Sequence, residues 1–428
     1  MNLIGLRIRN LRKQKGMTLK DVSHGIVSIP YLANIENGVK TASIETLMHL
    51  ARRLEVPEET LLMNEEETNQ VILEEFQAIF KLIVFSNTEN VETKLNAIAD
   101  NINLLQQSPA TELGFYSLQA CYYYKIWEFS KAEEIEIKYL TNNEKRIQEN
   151  FPSYLLNYYY YSQAVKHLSV TCDYDLAETY WKKCIETSND NTLQAVFHIN
   201  MCICFICQGA YESALKHIKK SWILAKNFSN EEYEFKGTLL YFFGYVYYQI
   251  GFLTESKKRF KQAIELFSVY PKFKSRFYFL IRFRLAEIEK SEGNEATFNE
   301  DIATLYNEII RYKKINSTFD NNVYLVITEL MVIFAENGFV EQATALKEIM
   351  SEVRERVIEL DYFIEYTETL LLYHQNQQAS YEKNMMDFLK RIDESNDPIL
   401  INRVKKHASM HFAKETKYKM AYLILSYK

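Results

Sequence analysis

Two short stretches place reactive side chains at spacings that could do chemistry. In "HASMH", His407 and His411 fall four apart, so on a helix they share one face, with Glu415 a turn beyond. A zinc hydrolase built on such a face carries its general base directly after the first histidine, where this chain has Ala408. The pair is therefore expected on a solvated face. In "CICFIC", Cys204 and Cys207 have the gap of a thiolate pair, and His198 lies four residues before Cys202. A structural zinc needs a second pair to complete its four ligands, and none is present, so buried thiols are the expectation. No glycine-rich phosphate loop and no nucleophile elbow occurs in the chain. The expectation is a protein that is not an enzyme, with no metal and no cofactor.

The elements around these residues are expected to be helices. Gly and Pro together number 17 in 428 residues, against roughly 12 % in average usage. With so few breakers an all-α chain follows. The charge is uneven. Residues 1–53 hold nine Lys and Arg against Asp21, Glu36 and Glu45, whereas the remainder holds 41 basic and 53 acidic residues. A small basic head on a large acidic body fits a nucleic-acid-binding module joined to something with another task. The six cysteines (121, 172, 184, 202, 204 and 207) form no paired framework and read as reduced thiols of a cytoplasmic protein. "MNLIGLRIRNLRKQKG" lacks the apolar core of a secretory signal. "LLYFFGYVYYQIG" (239–251) is too short and too rich in Tyr to span a bilayer, so no membrane partner is expected.

Five short helices are predicted in the head. Ile4, Ile8 and Leu11 recur at helical spacing before Gly16. Thr18 caps a second helix with Leu19 and Val22 inward, and Ser28 caps a third held by Leu32 and Ile35 and ended by Gly38. Ser43 caps a fourth with Leu47, Leu50, Ala51 and Leu54 inward. Pro57 opens a fifth closed by Leu61 and Leu62. The expected division is 1–64 for the head, 65–70 for a linker within "NEEETNQ", and 71–428 for the body.

The body repeats. Its clearest copy is "LLYFFGYVYYQIGFLTESKKRFKQAIELF" (239–267), with Gly244, Tyr247, Ser256, Phe260 and Ala263 at the spacing of a tetratricopeptide (TPR) helix pair. Taking Ala132, Ala177, Ala214, Ser256, Phe298 and Ala343 as equivalent gives steps of 45, 37, 42, 42 and 45, longer than the roughly 34-residue TPR unit. Seven to nine helix pairs are expected, forming a right-handed superhelix whose first helices line the concave face. Spacing inferred from the clearest copy would point Tyr241, Tyr245 and Tyr248 into that groove, with Tyr158 and Tyr161 in an earlier unit. Asn157, Asn200, Asn321 and Asn322 lie near first helices, where a side-chain amide can both donate to and accept from a peptide backbone.

The head, from "RIRNLRKQKGMTLKDVSHGI" through "SIPYLANIENG" to "SIETLMHLARRLEV", resembles the helix-turn-helix domain of the Xre/Cro/repressor family. With the degenerate repeats behind it, the chain looks most like the peptide-sensing regulators grouped as Rgg, Rap, NprR, PlcR and PrgX, and by length like the NprR type. The resemblance implies that the third helix enters the major groove of double-stranded DNA, with Ser28 at its start and Ile29, Pro30 and Asn34 towards base edges. Tyr31 would touch backbone or sugar, Asn37 and Lys40 would touch phosphate, and Arg12 would brace the first helix through Glu36. Ile29 and Pro30 depart from the family's polar readers and can only pack on a thymine methyl, which leaves Asn34 to pair with adenine. The resemblance further implies a homodimer on a palindromic operator, in a bacterial quorum-sensing receptor gated by a short signalling peptide. The alternative is a TPR adaptor that sequesters a response-regulator protein, with DNA binding secondary.

Overall fold

Hydroxyl side chains open three of the head's helices. Thr18 closes a capping box: its hydroxyl accepts the Asp21 amide at 3.2 Å, and the Asp21 carboxylate accepts the Thr18 amide at 2.8 Å. Ser28 and Ser43 accept the Tyr31 and Thr46 amides at 3.3 and 3.2 Å. The computed structural model describes residues 3–63, 70–140, 144–225, 234–316, 321–353, 360–395 and 398–426, with Phe228 and Phe319 between them. The head's helices are α1 (Ile4–Gln14), α2 (Leu19–Ser23), α3 (Ile29–Glu36), α4 (Ile44–Arg53) and α5 (Glu59–Leu62). Gly16 and Gly38, at φ of 66° and 71°, end α1 and α3 in the left-handed conformation that favours glycine. Ile4, Ile8, Leu11, Val22, Leu32, Ile35, Leu47, Leu50, Ala51, Leu54 and Leu61 form one buried cluster, with Leu19 and Leu62 half-buried against it. Most of the expected linker lies outside the described residues, and Gln70 already begins the next helix.

The body is built of helix pairs: α6 (Gln70–Val84) with α7 (Val91–Asn101), then α8 (Pro109–Lys125) with α9 (Phe129–Ile135). After α9 come a π-turn, Glu136–Leu140, and an added short helix, α10 (Glu144–Asn150). The pairs continue with α11 (Ser153–Ser169) and α12 (Tyr174–Thr187), and α13 (Asn191–Cys207) and α14 (Tyr211–Leu224). These elements and the head make one compact unit, residues 1–229. A second unit, residues 230–428, holds α15 (Glu234–Gln249) with α16 (Leu253–Glu265), α17 (Pro271–Ser291) with α18 (Glu295–Ile315), and α19 (Asn321–Glu336) with α20 (Val340–Ser351). It ends with α21 (Leu360–His374), α22 (Gln378–Leu389), α23 (Pro398–Lys414) and α24 (Tyr418–Ser426). Among the described residues there is no strand, and no helix is long and apolar enough to cross a membrane.

The six positions taken as equivalent each lie in the second helix of a pair, and all are buried. For the five that are Ala or Ser the role is close approach. At the α15/α16 crossing a Cβ on Gly244 would stand 2.6 Å from the Phe260 ring, and Ser256 donates its hydroxyl to the Gly244 carbonyl at 2.7 Å. A small residue there lets the ridge of one helix enter the groove of the other.

First helices differ from second helices in the water they see. In α11 every residue from Leu155 to Val165 is buried, as expected of a helix packed on several sides. Phe80 lies 4.7 Å from Tyr158 and 5.4 Å from Tyr161, and Tyr161 meets Trp181 edge-on at 5.2 Å.

Candidate nucleic-acid interface

The third helix of the head separates into an inner and an outer face. Leu32 and Ile35 are buried in the head core, while Ser28, Ile29, Pro30, Asn37 and Lys40 are exposed and Tyr31 and Asn34 half-buried. Ser28 supplies the cap and Pro30 sits in the first turn, where its missing N–H leaves no bond unmade. The predicted brace is present: Arg12 donates from Nε and Nη2 to the two Glu36 oxygens at 2.6 and 2.8 Å, and from Nη1 to the Met17 carbonyl at 3.0 Å. The hydrogen bonds that Arg12 donates to Glu36 hold its pKa above the ordinary value. Arg53 ties down the end of α2 by donating to the Asp21 and His24 carbonyls at 2.7 and 2.9 Å. Beyond α3, the Asn34 carbonyl accepts the Val39 and Lys40 amides at 2.8 and 3.2 Å, and Lys40 lies 5.5 Å over the Tyr31 ring.

All seven residues expected to face DNA thus lie at the start of α3, on its outer side or in the turn that follows it. Two exposed apolar residues that the sequence did not flag follow α3: Val39, next to Lys40, and Ile44, at the start of α4, both about 70 % exposed. No periodicity flags an exposed apolar residue in a turn, such as Val39, or at the first position of a helix, such as Ile44.

The head is also gripped from below by the repeats. Arg7 of α1, 2 % exposed, donates from Nε to Glu112 of α8 at 2.7 Å. It also donates to the Thr60 and Gln107 carbonyls at 2.8 and 2.7 Å. Burial pushes the Glu112 carboxyl above its ordinary pKa, and Arg7's charge and hydrogen bond pull it back. These contacts cross the boundary expected at residues 64–71, so the head and the first repeats are one body. The ion pair joins residues 105 apart in sequence, beyond the reach of any local pattern.

The residues expected to hold a peptide fare unevenly. In the first unit Asn157 is buried and its Oδ1 accepts a hydrogen bond from Thr187 at 3.1 Å. Tyr158 and Tyr161 are 1 % and 0 % exposed, so they pack between repeats and offer no surface to a groove. Asn200 is half-buried on α13. In the second unit Tyr241 is buried, 5.1 Å from Phe277, while Tyr245 and Tyr248 are half-buried. Arg284 of α17 lies 4.9 Å over the Tyr245 ring and pairs with Glu287. Burial pushes the Tyr241 phenol up, with Arg284 pulling it back. Asn322 is half-buried, and the Asn321 side chain lies outside the described residues.

Sequence reading missed the charges on first helices of the second unit. Arg403 of α23 donates to Glu336 of α19 through Nε and Nη2, both at 2.8 Å, and to Glu329 through Nη1 at 2.9 Å. Tyr366 of α21 donates to Glu336 at 3.2 Å. Arg and Glu scattered over a long chain carry no motif, so only the fold brings them together.

Both stretches that could do chemistry prove to be packing. His411 is buried, with its ring 4.6 Å from that of Tyr381, and His407 is half-buried, which corrects the expected solvated face: α23 turns this side towards aromatic neighbours. Cys202 and Cys204 are buried, while Cys172 and Cys207 are half-buried. Among the described residues no group of three or more His, Cys, Asp or Glu is placed to hold a metal ion. His198 and His217 bring their Nδ1 atoms to 3.0 Å. Burial lowers the pKa of both from 6.5 to about 4, helped by each other's field or by nearby lysines. The unfolded chain therefore takes up more protons than the folded one between those values. Stability is full above pH 6.5 and falls as pH drops towards 4. His198→Phe is expected to flatten that fall, read as melting temperature against pH; equal slopes in variant and wild type would refute the assignment.

Residues 5–67 match the model of a helix-turn-helix domain family. Over 46 residues the chain is 44 % identical to the HTH-type transcriptional regulator DdrOP3 of Deinococcus deserti, a match spanning 10 % of this chain and 36 % of that relative. Among solved structures, a Rap protein complexed with competence and sporulation factor superposes with a TM-score of 0.61 at 11 % identity, covering 83 % of this chain and 96 % of its own. Aspartyl phosphate phosphatase F from Bacillus subtilis superposes with a TM-score of 0.50 at 10 % identity, covering 85 % and 94 %. At those identities the likeness is one of fold. Residues 5–67 are thus similar to a helix-turn-helix domain, and the helix pairs behind them share the TPR-like fold of a Rap protein.

Proposed function

We propose that this protein is a cytoplasmic, DNA-binding transcription regulator whose activity is set by a short signalling peptide held by its TPR-like repeats. The observation that carries the reading is the outward face of α3. Its scaffold is buried and braced, and its reader and phosphate-facing positions are free to meet a duplex. One head covers one half-site, so a homodimer on a palindromic operator follows. The peptide part is supported by fold alone, through the Rap protein complexed with competence and sporulation factor. Of the residues expected to hold peptide, Tyr245, Tyr248 and Asn322 keep accessible surface in the second unit, where Arg284 and Arg403 join them as candidates, and Asn200 keeps it in the first.

The test is fluorescence anisotropy with the promoter duplex flanking the gene. Asn34→Ala is expected to weaken binding by about 1–3 kcal/mol with the salt slope unchanged, whereas Lys40→Ala lowers the slope by about one unit. No salt-sensitive binding to that duplex, with or without added peptide extract, would refute DNA reading. The likeness of the repeats to an aspartyl phosphate phosphatase favours a second reading, capture of a response-regulator protein. Co-elution with such a protein in the absence of DNA binding would select it.

A further inference from the structure

We propose that the signalling peptide is read on the inner face of the second unit's first helices, and that it carries a cationic group seated between Glu287 of α17 and Glu329 of α19. The inference rests on the peptide-gated reading above and narrows it to one site and one ligand chemistry. The corresponding face of the first unit is already covered. In a stack of repeats each unit touches only its neighbours, yet α6 reaches three further first helices. Phe76 lies 5.9 Å from Phe115 of α8, and Phe80 lies 4.7 and 5.4 Å from Tyr158 and Tyr161 of α11. Lys81 pairs at 2.8 Å with Asp190, the N-cap of α13. Helix α6 therefore runs across these helices, and α11 is left with no open face between Leu155 and Val165. Seven residues of α6 are buried. A short peptide has too few side chains to replace that apolar contact, so it does not displace α6.

The second unit keeps its face open. Glu329 and Glu336 of α19 are seven residues apart and so share one side of the helix, with Leu325, 48 % exposed, one turn before them. Arg403 of α23 reaches both carboxylates past α21, whose Tyr366 also donates to Glu336. Helices two places apart in a stack meet in this way on the side towards which the stack curves. Helix α17 packs against α15 and α19. Its Arg284 lies over the Tyr245 ring of α15 and pairs with Glu287, which brings a second set of charges to the same face.

These charges do not balance: Arg284 and Arg403 stand against Glu287, Glu329 and Glu336. Arg403 takes both oxygens of Glu336 but only Oε2 of Glu329, and Arg284 takes only Oε2 of Glu287. The Oε1 atoms of Glu287 and Glu329 accept no hydrogen bond among the described residues. The two carboxylates also feel each other. Burial pushes the Glu287 carboxyl above its ordinary pKa, Arg284 pulls it back, and the charge of Glu329 pushes it up again. A lysine or arginine side chain of the peptide, or its free N-terminal ammonium, supplies the donors these oxygens lack and cancels the excess charge.

Affinity selection of a random heptapeptide pool on the full-length chain supplies the probe. The selected sequences are expected to be enriched in Lys or Arg at one position. A selected peptide labelled at its C-terminus, followed by fluorescence anisotropy, is expected to bind Glu287→Gln and Glu329→Gln about tenfold more weakly than wild type. Exchanging its basic residue for norleucine lowers affinity for the wild-type chain by a similar factor and removes the difference between wild type and Glu329→Gln. If acetylating the N-terminus has those two effects instead, the cation is the terminal ammonium. A benzoylphenylalanine built into the same peptide is expected to photo-crosslink to α17 or α19 of the wild-type chain, which decides the location even if a glutamine variant does not fold. Crosslinks to α8, α11 or α13, or tight binding by peptides that have neither a basic residue nor a free N-terminus, would overturn this inference and leave the peptide reading standing. A chain that selects no peptide refutes the peptide reading, and the site with it.

Discussion

Replacing Arg7 with methionine is expected to cost about 3–5 kcal/mol of stability, among the largest losses from any single change in the chain. The expectation does not come from the strength of the Arg7–Glu112 contact, because two charges taken out of water lose much of what they gain by pairing. It comes from what is left behind. Glu112 is 5 % exposed and would keep a carboxylate with no cation beside it, and the Thr60 and Gln107 carbonyls would each lose a donor. The double variant Arg7→Met with Glu112→Leu separates the two accounts, since removing both charges is often neutral. It is expected to recover most of the loss. Urea unfolding followed by far-ultraviolet circular dichroism reads both as shifts in the first transition. A single variant within about 1 kcal/mol of wild type would mean that water reaches the pair.

The position of that pair also explains how much could be read without the fold. The head was legible because its signals are local: capping hydroxyls at three helices, apolar stripes along them, and Gly16 and Gly38 at two helix ends. Even the Arg12–Glu36 brace followed, through resemblance, and Arg7–Glu112 did not, because nothing near residue 112 refers to α1. The repeats were legible at their crossings. Ala132, Ala177, Ala214 and Ser256 must be small wherever two helices touch, and they stay in step for that reason. The groove was not legible. Choosing a groove face needs an amphipathic helix, and α11 is buried along eleven consecutive residues. Tyr158 and Tyr161 share the composition of a lining residue and the burial of a core one. His411 misled in the opposite direction: its spacing with His407 and Glu415 suggested a solvated face, whereas its neighbours in space are Tyr373 and Tyr381.

Tyr161 turns this ambiguity into a measurement. Its ring is fully buried among Phe80, Trp181 and Phe197, at centroid distances of 5.4, 5.2 and 6.2 Å. Truncation to alanine leaves a cavity the size of a ring between α11, α12 and α13, and the expected loss is about 3–5 kcal/mol. The hydroxyl tells the rest. It is buried with no hydrogen-bond partner among the described residues, and burial pushes its pKa well above 10. An unpaired buried hydroxyl carries a desolvation penalty, so Tyr161→Phe is expected to leave stability unchanged or raise it by about 1 kcal/mol. A residue presented to a peptide would behave the other way round. Alanine would then be tolerated by the fold, and phenylalanine would lose the hydrogen bond that recognises the ligand. Urea midpoints of the two variants decide between these patterns, and a Tyr161→Ala chain as stable as wild type would return the ring to the groove.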